Sequence, residues 1–138
     1  MPDTTREHFQ SFGAAYLPGH LGVEILTVSR SLVESRMAVA RQVMAPNGYL
    51  HAAAVVALAD TSCGYGCVAA LPEGARGFTT IELKANFLGT ARDGAIVCKA
   101  TPLHLGRTTQ VWDAAVSVEG SGARIATFRC TQMVLWPK

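Results

Sequence analysis

The stretch His51-Ala52-Ala53-Ala54-Val55-Val56-Ala57-Leu58-Ala59-Asp60-Thr61-Ser62-Cys63-Gly64-Tyr65-Gly66-Cys67-Val68-Ala69-Ala70-Leu71 decides how this chain is read. Alanine dominates its first half, and alanine is the strongest helix former. The segment is apolar on every side, so it predicts a buried helix rather than an amphipathic one. Gly64 and Gly66 work against it, each weakening a helix interior by about 1 kcal/mol relative to alanine. Close approach of another backbone at those two positions would compensate. Asp60 works against it more strongly, because an ionised carboxylate taken from water without partners costs several kcal/mol. Two readings stand side by side: a structural Asp that caps a backbone or pairs with an Arg, and a carboxylate kept for chemistry.

Upstream, Ala45-Pro46-Asn47-Gly48 is turn chemistry, with Pro fixing one φ and Asn-Gly tolerating positive φ. Before it, Val23, Ile25 and Val28, then Leu32, Met37, Val39 and Val43, nearly alternate, predicting two strands around Arg30-Ser31. Thr4 to about Ala15 predicts a helix that Pro18-Gly19-His20 breaks, a helical extension over residues 1–20. Downstream, Leu71-Pro72-Glu73-Gly74 ends the long helix. Four extended runs follow: Phe78 to Leu88, Ala95 to Leu103, Thr108 to Val118 and Arg124 to Leu135. The connections Gly89 to Gly94, His104 to Arg107 and Glu119 to Gly122 are short, and short connections are expected to join antiparallel neighbours. The order is helix, two strands, one long buried helix, four strands. This is an α+β chain whose sheet of five to six antiparallel strands wraps one helix.

The bulk numbers fit one domain over residues 1–138. A net charge of +2 with scattered Lys and Arg argues against nucleic-acid binding. The first eight residues carry acid and lack an apolar core, unlike a signal peptide. The longest apolar run, His51 to Leu71, is interrupted by Asp60, so no membrane span is expected and a cytoplasmic location follows by default. Cys63, Cys67, Cys98 and Cys130 lack the spacing of a zinc site and read as buried, reduced thiols, so no metal or other cofactor is expected.

The chemistry concentrates at the helix. Its first turn offers free N–H groups and partial positive charge, which can polarise a carbonyl oxygen. His51 sits where the chain enters that turn; a plain helix-start histidine bonded to backbone is the alternative. From Ala52 to Asp60 is ~12 Å along the axis. One substrate carbonyl therefore cannot touch both groups of one helix. Two helices packed antiparallel across a dimer could bring one chain's Ala52 amide near the other's Asp60.

His51-Ala-Ala-Ala-Val-Val-Ala-Leu-Ala-Asp60-Thr61, then Phe78-Thr79-Thr80-Ile81-Glu82-Leu83-Lys84-Ala85-Asn86-Phe87-Leu88, then His104-Leu105-Gly106-Arg107-Thr108, resembles the PaaI-type hotdog thioesterases. The resemblance spans roughly residues 20 to 135. It implies the hotdog fold, a homodimer with joined sheets or a homotetramer built from two such dimers, and metal-free hydrolysis of an acyl-CoA. It implies Asp60 as general base or nucleophile, the Ala52 N–H as the group that polarises the thioester carbonyl, and His51 beside that amide. Thr80 matches a hydroxyl position that helps hold the attacking water. Gly106 and Arg107 match a loop near the CoA moiety, and Thr79 lies beside the substrate-facing positions. Phe87, Leu83 and Val56 could line an acyl pocket, with core packing as the other reading. Similar enzymes usually read His-Gly-Gly, where this chain reads His51-Ala52-Ala53. They also often carry Asn or Gln at the position of Ala45, with Asn47 two residues away as a substitute. Those departures favour the main rival, a non-catalytic acyl-CoA-binding protein of the same fold. A hotdog hydratase is disfavoured because His51 precedes the helix.

Overall fold

The Ala-rich segment forms an 18-residue helix, α3 (Ala52–Ala69), in the computed structural model of this chain, which describes residues 5–138. Before it come α1 (Arg6–Phe12), the helical turn α2 (Leu17–His20), β1 (Glu24–Val28), β2 (Val33–Ala38) and a short 3-10 turn (Arg41–Val43). After it come β3 (Gly77–Phe87), β4 (Ala95–Leu105), β5 (Thr109–Val118) and β6 (Arg124–Leu135). All six strands make one antiparallel sheet in the order β1-β2-β4-β5-β6-β3. The inward side chains of the sheet pack on α3, with Leu58, Cys63, Ile96, Trp112 and Val116 fully shielded from solvent. By length and composition α3 is apolar enough to cross a membrane, yet it is the helix that the sheet wraps.

Both helical glycines mark close approaches, though of aromatic side chains rather than of the backbone expected. A Cβ on Gly66 would stand 2.5 Å from two carbons of the Trp112 ring, and one on Gly64 would stand 3.1 Å from the Phe78 ring. The helix thus exchanges propensity for contact with two aromatic rings of the sheet.

The N-terminal helix is shorter than the expected Thr4 to Ala15; Thr4 lies outside the described residues, Thr5 caps α1, and the helix stops at Phe12. Pro18 does not break a helix but sits in the first turn of α2, where its missing N–H costs nothing. Phe9 is buried, and the Gln10 side chain bonds the backbone of Val23 and Ile25, so this extension is docked on β1. The second strand ends at Ala38, and Val39 and Val43 pack from the following loop and turn.

The Gly89 to Gly94 connection does not join neighbours. β3 lies at one edge beside β6, and β4 lies beyond β5. The connection passes the ends of β6 and β5, with the N–H groups of Leu88 and Gly89 donating to Ile125 O at 2.7 and 3.2 Å. A hairpin between β3 and β4 would leave the C-terminal strand β6 without its place beside β3.

Candidate active site

Asp60 lies in the third turn of α3 and is half-buried. Its Oδ1 is fully shielded and accepts no hydrogen bond from any described residue. Among the described residues neither structural alternative applies: no Arg pairs with Asp60 and no backbone N–H is capped by it. Burial pushes its carboxyl pKa up from the ordinary aspartate value. A carboxylate that is desolvated and unpaired is a stronger base near neutral pH than a surface one.

The helix start is built by the preceding loop. Gly48 adopts φ of 87°, which only glycine reaches without strain, and turns the chain so that Ala45 N–H donates to Tyr49 O at 2.7 Å. Asn47 is exposed, and its Oδ1 accepts from Tyr49 N–H at 3.1 Å, so that acceptor serves the turn. His51 is the N-cap of α3, its Nδ1 accepting from Ala53 N–H at 3.0 Å. The bond requires a lone pair on Nδ1, which places the proton of the neutral ring on Nε2. The plain helix-start reading of His51 therefore describes what it does in the single chain. Capping also fixes which amide is left over. The N–H groups of Ala54 and Val55 reach His51 O, that of Ala53 reaches the imidazole, and that of Ala52 meets no acceptor among the described residues. Ala52 is exposed, so the one uncommitted N–H of the first turn is open to a ligand.

On the sheet, an irregularity between Thr80 and Glu82 decides which β3 side chains face the helix. Thr80 pairs with the buried Gln132 and shares its inward face, and after the bulge Leu83, Ala85 and Phe87 take that face, opposite Cys130, Phe128 and Ala126. Thr79 pairs with the exposed Met133 and faces away from α3, so it does not join Thr80 beside the helix. Gly64 meets Phe78. Asp60 lies one turn, ~6 Å, toward the start of α3 from Gly64. Thr80 lies two residues, ~6.6 Å, along β3 from Phe78. The helix start lies near Thr90, beyond the end of β3, where the Leu50 N–H donates to Thr90 Oγ1 at 3.3 Å. Helix and strand therefore run oppositely, the two steps go the same way, and Asp60 and Thr80 lie abreast.

Leu83 and Phe87, 43% and 47% exposed, are not core residues, whereas Val56 packs partly buried against the core. With Ile81 and Leu88 they leave the β3 edge apolar and open. Gly106 and Arg107 lie in the β4–β5 turn, at the opposite end of the fold from His51 and Ala52. A Cβ on Gly106 would stand 2.6 Å from His104 Nε2 and 2.9 Å from Thr109 O, so the tight turn needs glycine. The four cysteines are buried and free. Burial pushes the Cys67 thiol up to about 12 and the Cys98 thiol up to about 11, so neither is a nucleophile at neutral pH.

One chain thus holds three separated parts: a free amide at the helix start, the half-buried Asp60 carboxylate abreast of Thr80 at mid-helix, and a cationic turn at the far end. Sequence reasoning missed Gln110 and Gln132, both fully buried beneath α3. Gln110 accepts from Trp112 Nε1 at 2.8 Å and donates to Ala70 O at 3.2 Å, tying the helix end to the sheet. The inward register of β5 and β6 was the only signal for them.

The family model described as the thioesterase superfamily matches residues 47–124. A putative esterase of Haemophilus influenzae is 36% identical over 100 residues, covering 72% of each chain. The 1,4-dihydroxy-2-naphthoyl-CoA hydrolase of Escherichia coli is 32% identical over 136 residues, covering 95% of each. A crystal structure of a thioesterase from Haemophilus influenzae superposes with a TM-score of 0.90 at 30% identity, over 97% of this chain and 92% of the other.

Proposed function

The chain belongs to the thioesterase superfamily, and from that premise we propose that it hydrolyses acyl- or aryl-CoA thioesters at sites shared by two protomers. The observation that carries the proposal is the desolvated Asp60 carboxylate, whose Oδ1 is buried in the middle of the core helix with no partner among the described residues. A fold optimised for stability alone would not keep it. Relatives whose names include a CoA hydrolase support the substrate class.

In this reading β3 pairs antiparallel with β3 of a second copy. The apolar residues Ile81, Leu83, Phe87 and Leu88 of the open edge favour that pairing, because an unprotected apolar edge strand otherwise invites uncontrolled association. The two α3 helices then run antiparallel side by side, and the start of one faces the middle of the other. The Ala52 N–H of one protomer binds the thioester carbonyl oxygen, strengthening as negative charge develops there. Asp60 of the other acts as general base or nucleophile. As base it takes a proton from water held with Thr80; the hydroxide adds to the carbonyl carbon, the C–S bond breaks, and the departing thiolate regains the proton. Leu83 and Phe87 give the acyl group an apolar wall. A tetramer would pair two such dimers without changing this site.

The test is release of free CoA thiol from a panel of acyl- and aryl-CoA esters, with Asp60→Asn beside the wild type. The expected result is turnover of at least one ester, reduced by about a hundred-fold or more in the folded variant. Equal turnover by both proteins would remove Asp60 from the chemistry.

A further inference from the structure

Arg107 is held in an unusual way. Its guanidinium lies over the Trp136 ring at 4.2 Å from the centroid, while Trp136 Nε1 donates back to Arg107 O at 3.0 Å. Backbone and side chain of one residue are thus both gripped by a single indole. Among the described residues no carboxylate pairs with this guanidinium, so its charge and its N–H donors remain available. Trp136 follows β6 and is itself half-buried, backed by Gly74 at a spacing of 3.5 Å from where a Cβ would stand. An exposed arginine ordinarily samples many rotamers, and ordering it on binding costs affinity. Stacking on an aromatic face removes much of that cost while leaving the planar edge free for oxygen ligands.

Topology says where this edge points in the proposed dimer. The Arg107 turn adjoins the start of β3: Val134 N–H donates to Thr108 O, and Gly77 pairs with Leu135 next to Trp136. The start of α3 adjoins the end of β3, through Leu50 and Thr90. Two β3 strands paired antiparallel set the start of one against the end of the other. The Arg107 turn of one protomer therefore comes to the side on which the helix start of its partner receives the thioester.

We propose that Trp136 is a positioning residue that holds Arg107 preformed to meet the phosphates of the thioester's CoA carrier. It does not touch the reacting atoms, so it sets affinity for the carrier and leaves the chemical step alone. The inference deepens the thioesterase reading and rests on it for the substrate, but not for the binding contact.

The experiment compares wild type, Trp136→Phe, Trp136→Leu and Arg107→Gln on one acyl group carried either by CoA or by N-acetylcysteamine, which has no phosphate. Affinity for free CoA is measured beside it by calorimetry. Trp136→Leu is expected to raise KM for the CoA ester and Kd for CoA by roughly three- to ten-fold, as expected for loss of a partly exposed cation–π contact and the order it imposes. The kcat should hold within about two-fold, and the N-acetylcysteamine ester should be unaffected. Trp136→Phe, which keeps a π face, should recover most of the loss, and Arg107→Gln should reproduce it in full. Equal damage to both esters, an unchanged Kd for CoA, or no rescue by phenylalanine would overturn the proposal. Hydrolysis of neither ester by wild type would instead sink the thioesterase reading, and the CoA affinities would still decide the role of Trp136.

Discussion

Replacing Ala52 with proline isolates a single atom of the proposed site. Ala52 is the first residue of α3, the helix position at which proline is best tolerated, because its N–H has no partner inside the helix. The preceding residue must be extended, and His51 already is, with φ of −69° and ψ of 130°. The N–H removed by the ring bonds no described residue, so no internal hydrogen bond is lost. The His51 cap on Ala53 is untouched. Stability should therefore hold or rise by about 0.4–1 kcal/mol as the unfolded chain loses freedom. Activity should fall steeply, since loss of one oxyanion donor costs about a hundred- to a thousand-fold in kcat. Thermal melts and steady-state CoA release, run on the same samples, read both effects. Ala52→Val adds bulk at the same place but keeps the amide, and its activity loss should be much the smaller. A folded Ala52→Pro protein that turns over within ten-fold of wild type would refute the role of this amide. Equal losses in the valine and proline proteins would assign the effect to bulk.

The two helical glycines should respond differently to alanine. At Gly66 the new methyl would displace Trp112, which is fully buried and fixed through Nε1 to Gln110. Overpacking of about 1–3 kcal/mol, with strain on that buried bond, outweighs the ~1 kcal/mol propensity gain, so urea melts should show net destabilisation. At Gly64 the neighbour is the half-buried Phe78 on the edge strand, which can yield by a few tenths of an ångström, so the variant should be neutral or slightly stabilised. Asp60→Asn should stabilise the protein at neutral pH. Burial raises the Asp60 pKa, so the native state keeps this proton to higher pH than the unfolded chain does. Its stabilising contribution is complete below the ordinary value of 3.8 and is lost as pH rises through the raised value. Denaturant melts of the two proteins should therefore agree near pH 3 and separate progressively in favour of Asn as pH rises to 7. The kcat/KM profile of wild type should show its acid limb above 3.8. Leu83→Asp puts a charge on the open β3 edge and should give a monomer by sedimentation, with activity lost alongside.

The central helix and its unusual residues were readable because the signal is local. Alanine sets the helix, and Gly64, Gly66 and Asp60 each violate helix preference, so each demanded a reason from elsewhere in the fold. The structure supplies those reasons for the glycines at Phe78 and Trp112, and leaves Asp60 Oδ1 buried with no partner among the described residues, the feature from which the proposed chemistry is argued. What the chain hid is set by pairing between distant segments. The crossing of Gly89 to Gly94 over two strands depends on β6, which is made last, claiming the place beside β3. A simple alternation along β3 groups Phe78 and Thr80 with Glu82 and Lys84, and only pairing with β6 fixes the bulge that turns Leu83 and Phe87 inward. Thr79 and Thr80 are adjacent hydroxyls of similar promise in sequence, and the pleat alone separates their faces. His51 was legible as a helix-start residue, but its cap to Ala53, and hence the freedom of the Ala52 amide, is a matter of ring geometry that sequence does not carry.

The claim that matters most is that the amide and the carboxylate of one site come from different chains. Asp60→Asn and Ala52→Pro proteins, each nearly inactive alone, can be unfolded, mixed in equal amounts and refolded together. Random pairing makes half the dimers mixed, and each mixed dimer holds one site with both an intact Ala52 amide and an intact Asp60. Recovery of about a quarter of wild-type CoA release is expected. No recovery from a mixture shown to contain mixed dimers would contradict the shared site, because a site built within one chain stays broken in every pairing.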